Sequence, residues 1–297
     1  MANMRLLLPP ILRCIFLALV STLFPAVAVA QCESLPERGK DVVSSDWAIY
    51  RPSETHLFRF YNSVWGKDNS WLNGRDYAQV LLVTPNDFPN GSAIAWTWPD
   101  NPGNGGWAYG YPSIIYGRIP GTDPNPPNGP WPTKISDLLE LLVDYDIEIG
   151  GNTNSFNILL DIRLTSVADS TDLTKFTIAE VSFFPADNSP MSEGISHSFT
   201  NFNAKVSINK KSVPQINIVP QSGRLPTNLL SARVNLLEVL NFLISLNWIT
   251  PDLYVQGIEF GAEPQGPNSY NSRPHCGNLK IKRLSYTWRR NSKPPVR

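Results

Sequence analysis

The stretch GIEFGAEPQGP, residues 257–267, sets two glutamates four residues apart on a glycine-rich segment that closes on proline. Two further acids interrupt apolar runs, Glu180 in FTIAEVSFFP and Asp161 in NILLDIRLT. An acid that points inward from an apolar strand is costly unless it is paired or solvated. Acids at Glu180, Asp161 and the 259/263 pair therefore suggest one shared polar cleft; for each acid alone, a place on the solvent face is the alternative. Two carboxyl groups flanking one bond perform glycoside hydrolysis. One attacks the anomeric carbon or activates a water, and the other protonates the leaving oxygen. Trp65, Trp71, Trp107 and Trp131 lie in or beside Gly, Asn or Pro stretches. Indole faces there suit the apolar faces of sugar rings; core packing is the competing role.

The elements that must position these groups are strands. In LLVDYDIEIG (141–150), Val143, Tyr145, Ile147 and Ile149 share one face and Asp144, Asp146 and Glu148 the other. That period of two marks half-buried antiparallel strands. AIAWTWPD, QVLLVTP, SIIYGRI, QINIVP, LYVQGIEFG and LKIKRLSYTW extend the series, separated by turn-rich stretches. Glu180 shares the parity of Ser182 and Phe184; Glu259, Gly261 and Glu263 share another, opposite Ile258 and Phe260. The expectation is an all-β, two-sheet antiparallel sandwich, a jelly roll with an open concave cleft. Leucines at helical spacing predict one helix within 228–246, with Thr227 as its N-cap. The proline-rich 121–132 reads as a surface loop.

Residues 1–30 carry two arginines, no acid, a long apolar run and small residues before Gln31. They read as a signal peptide, leaving 31–297 as a single secreted domain with a basic tail at 289–297. Taking those two arginines from 25 basic residues leaves 23 against 25 acidic, which is no footprint for nucleic acid. No membrane attachment is expected after cleavage, and the domain reads as a monomer. Cys32 and Cys276 form an even pair near the termini and predict a disulfide in an exported chain. The three histidines lack zinc-type spacing. There is no phosphate or dinucleotide fingerprint, so neither metal nor cofactor is expected.

In order along the chain, YNSVWG (61–66), WTW with YPSIIYG (96–98, 111–117), LLVDYDIEIGGNTNSFNILLDIRL, IAEVSFFP and LYVQGIEFGAEPQGP resemble segments of glycoside hydrolase family 12, over about residues 47–267. That family comprises retaining endo-β-1,4-glucanases on a concanavalin-like jelly roll. The resemblance implies Glu180 as nucleophile, Glu263 as general acid/base, and Asp161 as the aspartate that orients the nucleophile. Glu259 falls at a variable position. The resemblance also implies Trp65 stacking on a glucosyl unit and Asn62 bonding its hydroxyls. Tyr111, Trp107 and Trp131 complete the expected substrate contacts, with a β-glucan polysaccharide as the partner. Four positions depart from the pattern: Ser182 for a methionine, Phe184 and Arg163 for tryptophans, and Ala262 for a threonine. A non-catalytic carbohydrate-binding protein on the same sandwich is the alternative these departures raise.

Overall fold

The computed structural model describes residues 41–100, 108–118, 129–168, 176–187, 193–221, 230–266 and 275–291. In chain order the strands are β1 (Asp41–Val43), β2 (Ile49–Tyr50), β3 (Phe58–Val64), β4 (Ala78–Val83), β5 (Ala93–Trp98), β6 (Gly110–Gly117), β7 (Thr133–Lys134) and β8 (Leu138–Gly151). They continue as β9 (Phe156–Thr165), β10 (Thr177–Ala186), β11 (Ile195–Ser198), β12 (Asn203–Asn209), β13 (Gln215–Pro220) and β14 (Ser231–Asn235). The helix α1 (Leu236–Ser245), β15 (Tyr254–Pro264) and β16 (His275–Arg290) complete the order.

The alternation in the sequence becomes layer assignment. On β8, Val143, Tyr145 and Ile147 are buried while Asp144, Asp146 and Glu148 face outward. A six-stranded sheet in the order β1-β4-β5-β16-β8-β14 faces a ten-stranded one, β11-β12-β13-β10-β9-β15-β6-β3-β2, with β7 beside β15. The core lies between them, built from inward residues such as Ile94, Trp96, Tyr145, Ile158, Leu160, Phe183, Phe260 and Ile281. Burying one face of each sheet against the other removes apolar surface from water and holds the layers together. The sheets are not wholly antiparallel: β10 and β13 run parallel, Glu180 opposite Gln215. The chain reaches β13 by way of β11 and β12 and so returns in the direction of β10.

The expected helix over 228–246 is shorter. Ser231–Asn235 is strand, paired antiparallel with β8, and only Leu236–Ser245 is helical. Asn235 is the N-cap, its side chain accepting from the Glu238 amide at 3.2 Å. Such a cap satisfies one of the orphan donors that open a helix. Leu236, Val239, Leu240 and Leu243 form its buried stripe. Thr227 lies outside the described residues, as do the segment 1–30, Cys32, Trp107 and most of 121–132. Cys276 is fully buried at the start of β16.

Glycine at 261 has a reason in the packing of β15 on β6. A Cβ there would stand 2.2 Å from the Pro112 carbonyl oxygen and 2.8 Å from Ser113 Cα. Both obstacles are backbone and cannot rotate away. Gly261→Ala should destabilise the domain by about 1–3 kcal/mol. Thermal melts would read this as a fall in Tm of roughly 2–4 °C per kcal/mol for a domain of this size.

Candidate active site

The outer face of the ten-stranded sheet carries a cavity of about 420 Å³, with β9 at its centre and β10 and β15 on either side. On β9 the even residues Ile158, Leu160, Ile162 and Leu164 enter the core. The odd residues Leu159, Asp161 and Arg163 line the cavity. Glu180 and Ser182 enter it from β10, Glu259 and Glu263 from β15, and Tyr61, Ser63, Trp65 and Tyr111 from β3 and β6 or just beyond. The parity of the strands thus brings all four sequence-predicted acids to one face.

Backbone register fixes their relative heights. Glu180 is opposite Arg163, Ser182 opposite Asp161, and Asp161 in turn opposite Glu259. Glu263 is opposite Asn157. Arg163 is the hub of the first group. Its Nη1 donates to Glu180 Oε1 at 2.5 Å, its Nε to Glu259 Oε1 at 3.4 Å, and its Nη2 lies 4.0 Å from Asp161 Oδ2. Burial works against the guanidinium charge, but Glu259, Asp161 and Glu180 outweigh it and hold the arginine more firmly protonated. Ser113 Oγ donates to Glu259 Oε2 at 3.2 Å, and Ser182 Oγ to Asp161 Oδ1 at 2.8 Å. Glu259, assigned no role from the sequence, is a buried member of this ion cluster. Its signal was the lone base Arg163 on the same face of β9 as Asp161, level with acids on the neighbouring strands.

Asp161 has its pKa pushed up to about 7. Burial contributes most, then the charge of Glu180, with Arg163 opposing and Glu259 adding to the rise. Glu263 stands apart from the arginine. Its carboxyl is pushed up to about 8, first by burial; hydrogen bonds from Asn157 and Gln265 oppose the shift, and the charges of Asp161 and Asp187 add to it. Asn157 Nδ2 reaches Glu263 Oε2 at 3.4 Å. At neutral pH Glu263 is therefore a protonated acid facing a groove, the state a general acid requires.

The expected sugar contacts divide. Trp65 is 41 % exposed and lines the cavity. Tyr111 also lines it, with its hydroxyl placed to donate to the carbonyls of Leu159 and Glu259 at 3.0 and 3.1 Å. Asn62 does not face the groove. It is fully buried on the other side of β3, donating to the Ser45 carbonyl and accepting from Gln79 Nε2. Trp131 is 4 % exposed and packs edge-on to Tyr116 in the core. In both cases the sequence supplied the residue type but not the face.

Among the described residues no group of three or more His, Cys, Asp or Glu could hold a metal ion. None of the helices described is long and apolar enough to cross a membrane.

With the geometry in hand, comparison with known proteins bears on the fold. No family model matches the chain, and no curated protein does. Solved structures do. A family 12 xyloglucanase from Bacillus licheniformis superposes with a TM-score of 0.65 at 20 % identity, covering 84 % of this chain and 100 % of that one. An endoglucanase from Rhodothermus marinus gives 0.63 at 17 % identity, with the same 84 % and 100 % coverage. Endoglucanase 3 from Trichoderma harzianum, of family GH12, gives 0.61 at 12 % identity over 86 % of this chain and 100 % of that one. The chain has the fold of the family 12 glycoside hydrolases.

Two outcomes follow from the charges. Glu263 binds its proton more tightly when folded than at its ordinary value of 4.5, so folding stability falls as pH rises from there through about 8. Glu263→Gln should flatten that decline in denaturant titrations across the interval. Arg163→Met leaves Glu180, Glu259 and Asp161 without their cation. It should cost about 3 kcal/mol at neutral pH, with part of the loss recovered on acidification.

Proposed function

We propose that the chain is a glucan-directed glycoside hydrolase, exported, that cuts β-1,4-glucans internally, with Glu263 as the general acid. The observation that carries this is a buried carboxyl, its pKa pushed up to about 8, lining the same groove as an exposed tryptophan, on a fold shared with xyloglucanases and endoglucanases. Glu263 delivers its proton to the glycosidic oxygen as the bond breaks. Trp65 offers a stacking surface for a sugar ring away from the cut. A groove open on the sheet face suits an internal stretch of chain, whether cellulose, xyloglucan or mixed-linkage glucan. In the version implied by the sequence resemblance, Glu180 attacks the anomeric carbon, Asp161 orients it, Glu263 returns as base for water, and configuration is retained.

A second reading has its own observation. Glu180 is tied to Arg163 at 2.5 Å, an arrangement that a non-catalytic glucan-binding groove would tolerate and that a free nucleophile would not need.

Reducing-end release from xyloglucan, barley β-glucan and carboxymethyl-cellulose separates the two. The hydrolase should cut at least one of them and lose about 10²–10⁴-fold in rate on Glu263→Gln, with the variant folded by circular dichroism. Binding without cleavage, unchanged in Glu263→Gln, would establish the second reading.

A further inference from the structure

A carboxylate held one-to-one by arginine is a poor nucleophile, because the cation stabilises the charge that attack must remove. The tie between Arg163 and Glu180 is not of that kind. On β9, Arg163 is opposite Glu180 of β10. Asp161, two residues away and lining the same cavity, is opposite Glu259 of β15. The guanidinium thus lies on the diagonal between Glu180 and Glu259. It gives Nη1 to Glu180 Oε1 and Nε to Glu259 Oε1, 2.5 and 3.4 Å away.

Glu259 is the more deeply set of the two acids. Its side chain is 8 % exposed, against 28 % for Glu180. Its other oxygen, Oε2, accepts from Ser113 Oγ at 3.2 Å. Ser113 belongs to β6, on the far side of β15 from β9. Glu259 is therefore anchored from both flanking strands and fixes one edge of the guanidinium. Among the charges that sustain the buried arginine, that of Glu259 acts most strongly. Glu180 is anchored at one oxygen: among the described residues, Arg163 alone donates to its carboxylate, at Oε1.

We propose that Glu259 is a positioning residue for Glu180, acting through Arg163. This rests on the hydrolase reading above, in the version in which Glu180 attacks the anomeric carbon. Held at Nε, the guanidinium directs Nη1 at Oε1 and leaves the second oxygen of Glu180, Oε2, for the substrate. Its charge, divided between Glu180 and Glu259, orients the nucleophile without quenching it. In the step itself Oε2 bonds to the anomeric carbon, the C1–O bond breaks, and Glu263 gives its proton to the departing oxygen. Water then displaces Glu180 from the sugar and returns a proton to Glu263. As Oε2 attacks, negative charge leaves Glu180 and positive charge gathers on the sugar ring. A fixed anion at Glu259 favours both changes.

The test isolates the attack step with a cellobioside that carries fluorine beside the anomeric carbon and dinitrophenolate as leaving group. Dinitrophenolate departs without a proton, so the part played by Glu263 is not read. Mass spectrometry of the wild-type protein should find the sugar on Glu180. Glu259→Gln keeps the shape and an acceptor for Arg163 but loses the charge. It should be inactivated about tenfold or more slowly, the order expected on removing one charge a few Å away at an effective dielectric of about 20. Its half-saturating inhibitor concentration and its Tm should stay at the wild-type values. A purely structural role would move those two instead. An inactivation rate within about threefold of wild type, or a label on another carboxyl, overturns the proposal and leaves the hydrolase reading intact. Polysaccharide cleavage with no label at all does the same. If Glu259→Gln does not fold, Ser113→Ala, which releases the other oxygen of Glu259, is read by the same rate: slowing supports the proposal and no change overturns it. No label and no cleavage of the three polysaccharides overturn both.

Discussion

One guanidinium makes the acidic cleft affordable. Acids on the outer face of a single sheet would repel one another and resist desolvation. Arg163 stands among Glu180, Glu259 and Asp161 and offsets part of their charge. Glu263 lies beyond its reach on the register of β9. There burial meets no cationic compensation, and the carboxyl keeps its proton. The groove therefore contains two electrostatic regimes a few residues apart: an ion cluster around the arginine and a neutral acid beside Asn157. This is the separation of environments by which two carboxyls on one fold acquire different roles.

Two of the four positions that depart from the resembled pattern, Arg163 and Ser182, act on the same pair of strands. Arg163 and Ser182 face Glu180 and Asp161 respectively across the β9–β10 ladder. Each supplies a donor to the acid opposite or beside it, Arg163 to Glu180 and Ser182 to Asp161. A tryptophan and a methionine at these positions would supply no such charge-assisted contact. The two contacts together tie β9 to β10 across the cleft face.

What could be read from the sequence was parity, and it was read well where strands are regular. Glu180, Asp161, Glu259 and Glu263 all lie on the cleft face, as the alternation on β9, β10 and β15 requires. What escaped was everything that depends on neighbours or on a break in the period. Asn62 and Trp131 had the right chemistry and the wrong side of the sheet. The leucine spacing after 228 extended the helix too far, because Ala232 and Val234 fit a strand edge against β8 as well as a helical turn. The parallel pairing of β10 with β13 was equally invisible, since strand direction depends on the path of the intervening chain.

The place of β16 has a consequence for how the molecule assembles. The last of the described strands does not close an edge; it lies in the middle of the six-stranded sheet, between β5 and β8. Until residues 275–290 arrive, β1, β4 and β5 have no sheet partner in common with β8 and β14. Such pairings between distant segments close large loops before they gain any contact, and chains dominated by them fold slowly. A polypeptide emerging from its N-terminus first thus carries two unjoined half-sheets until residues 275–290 have been made. Its commitment to the native sheet waits on β16.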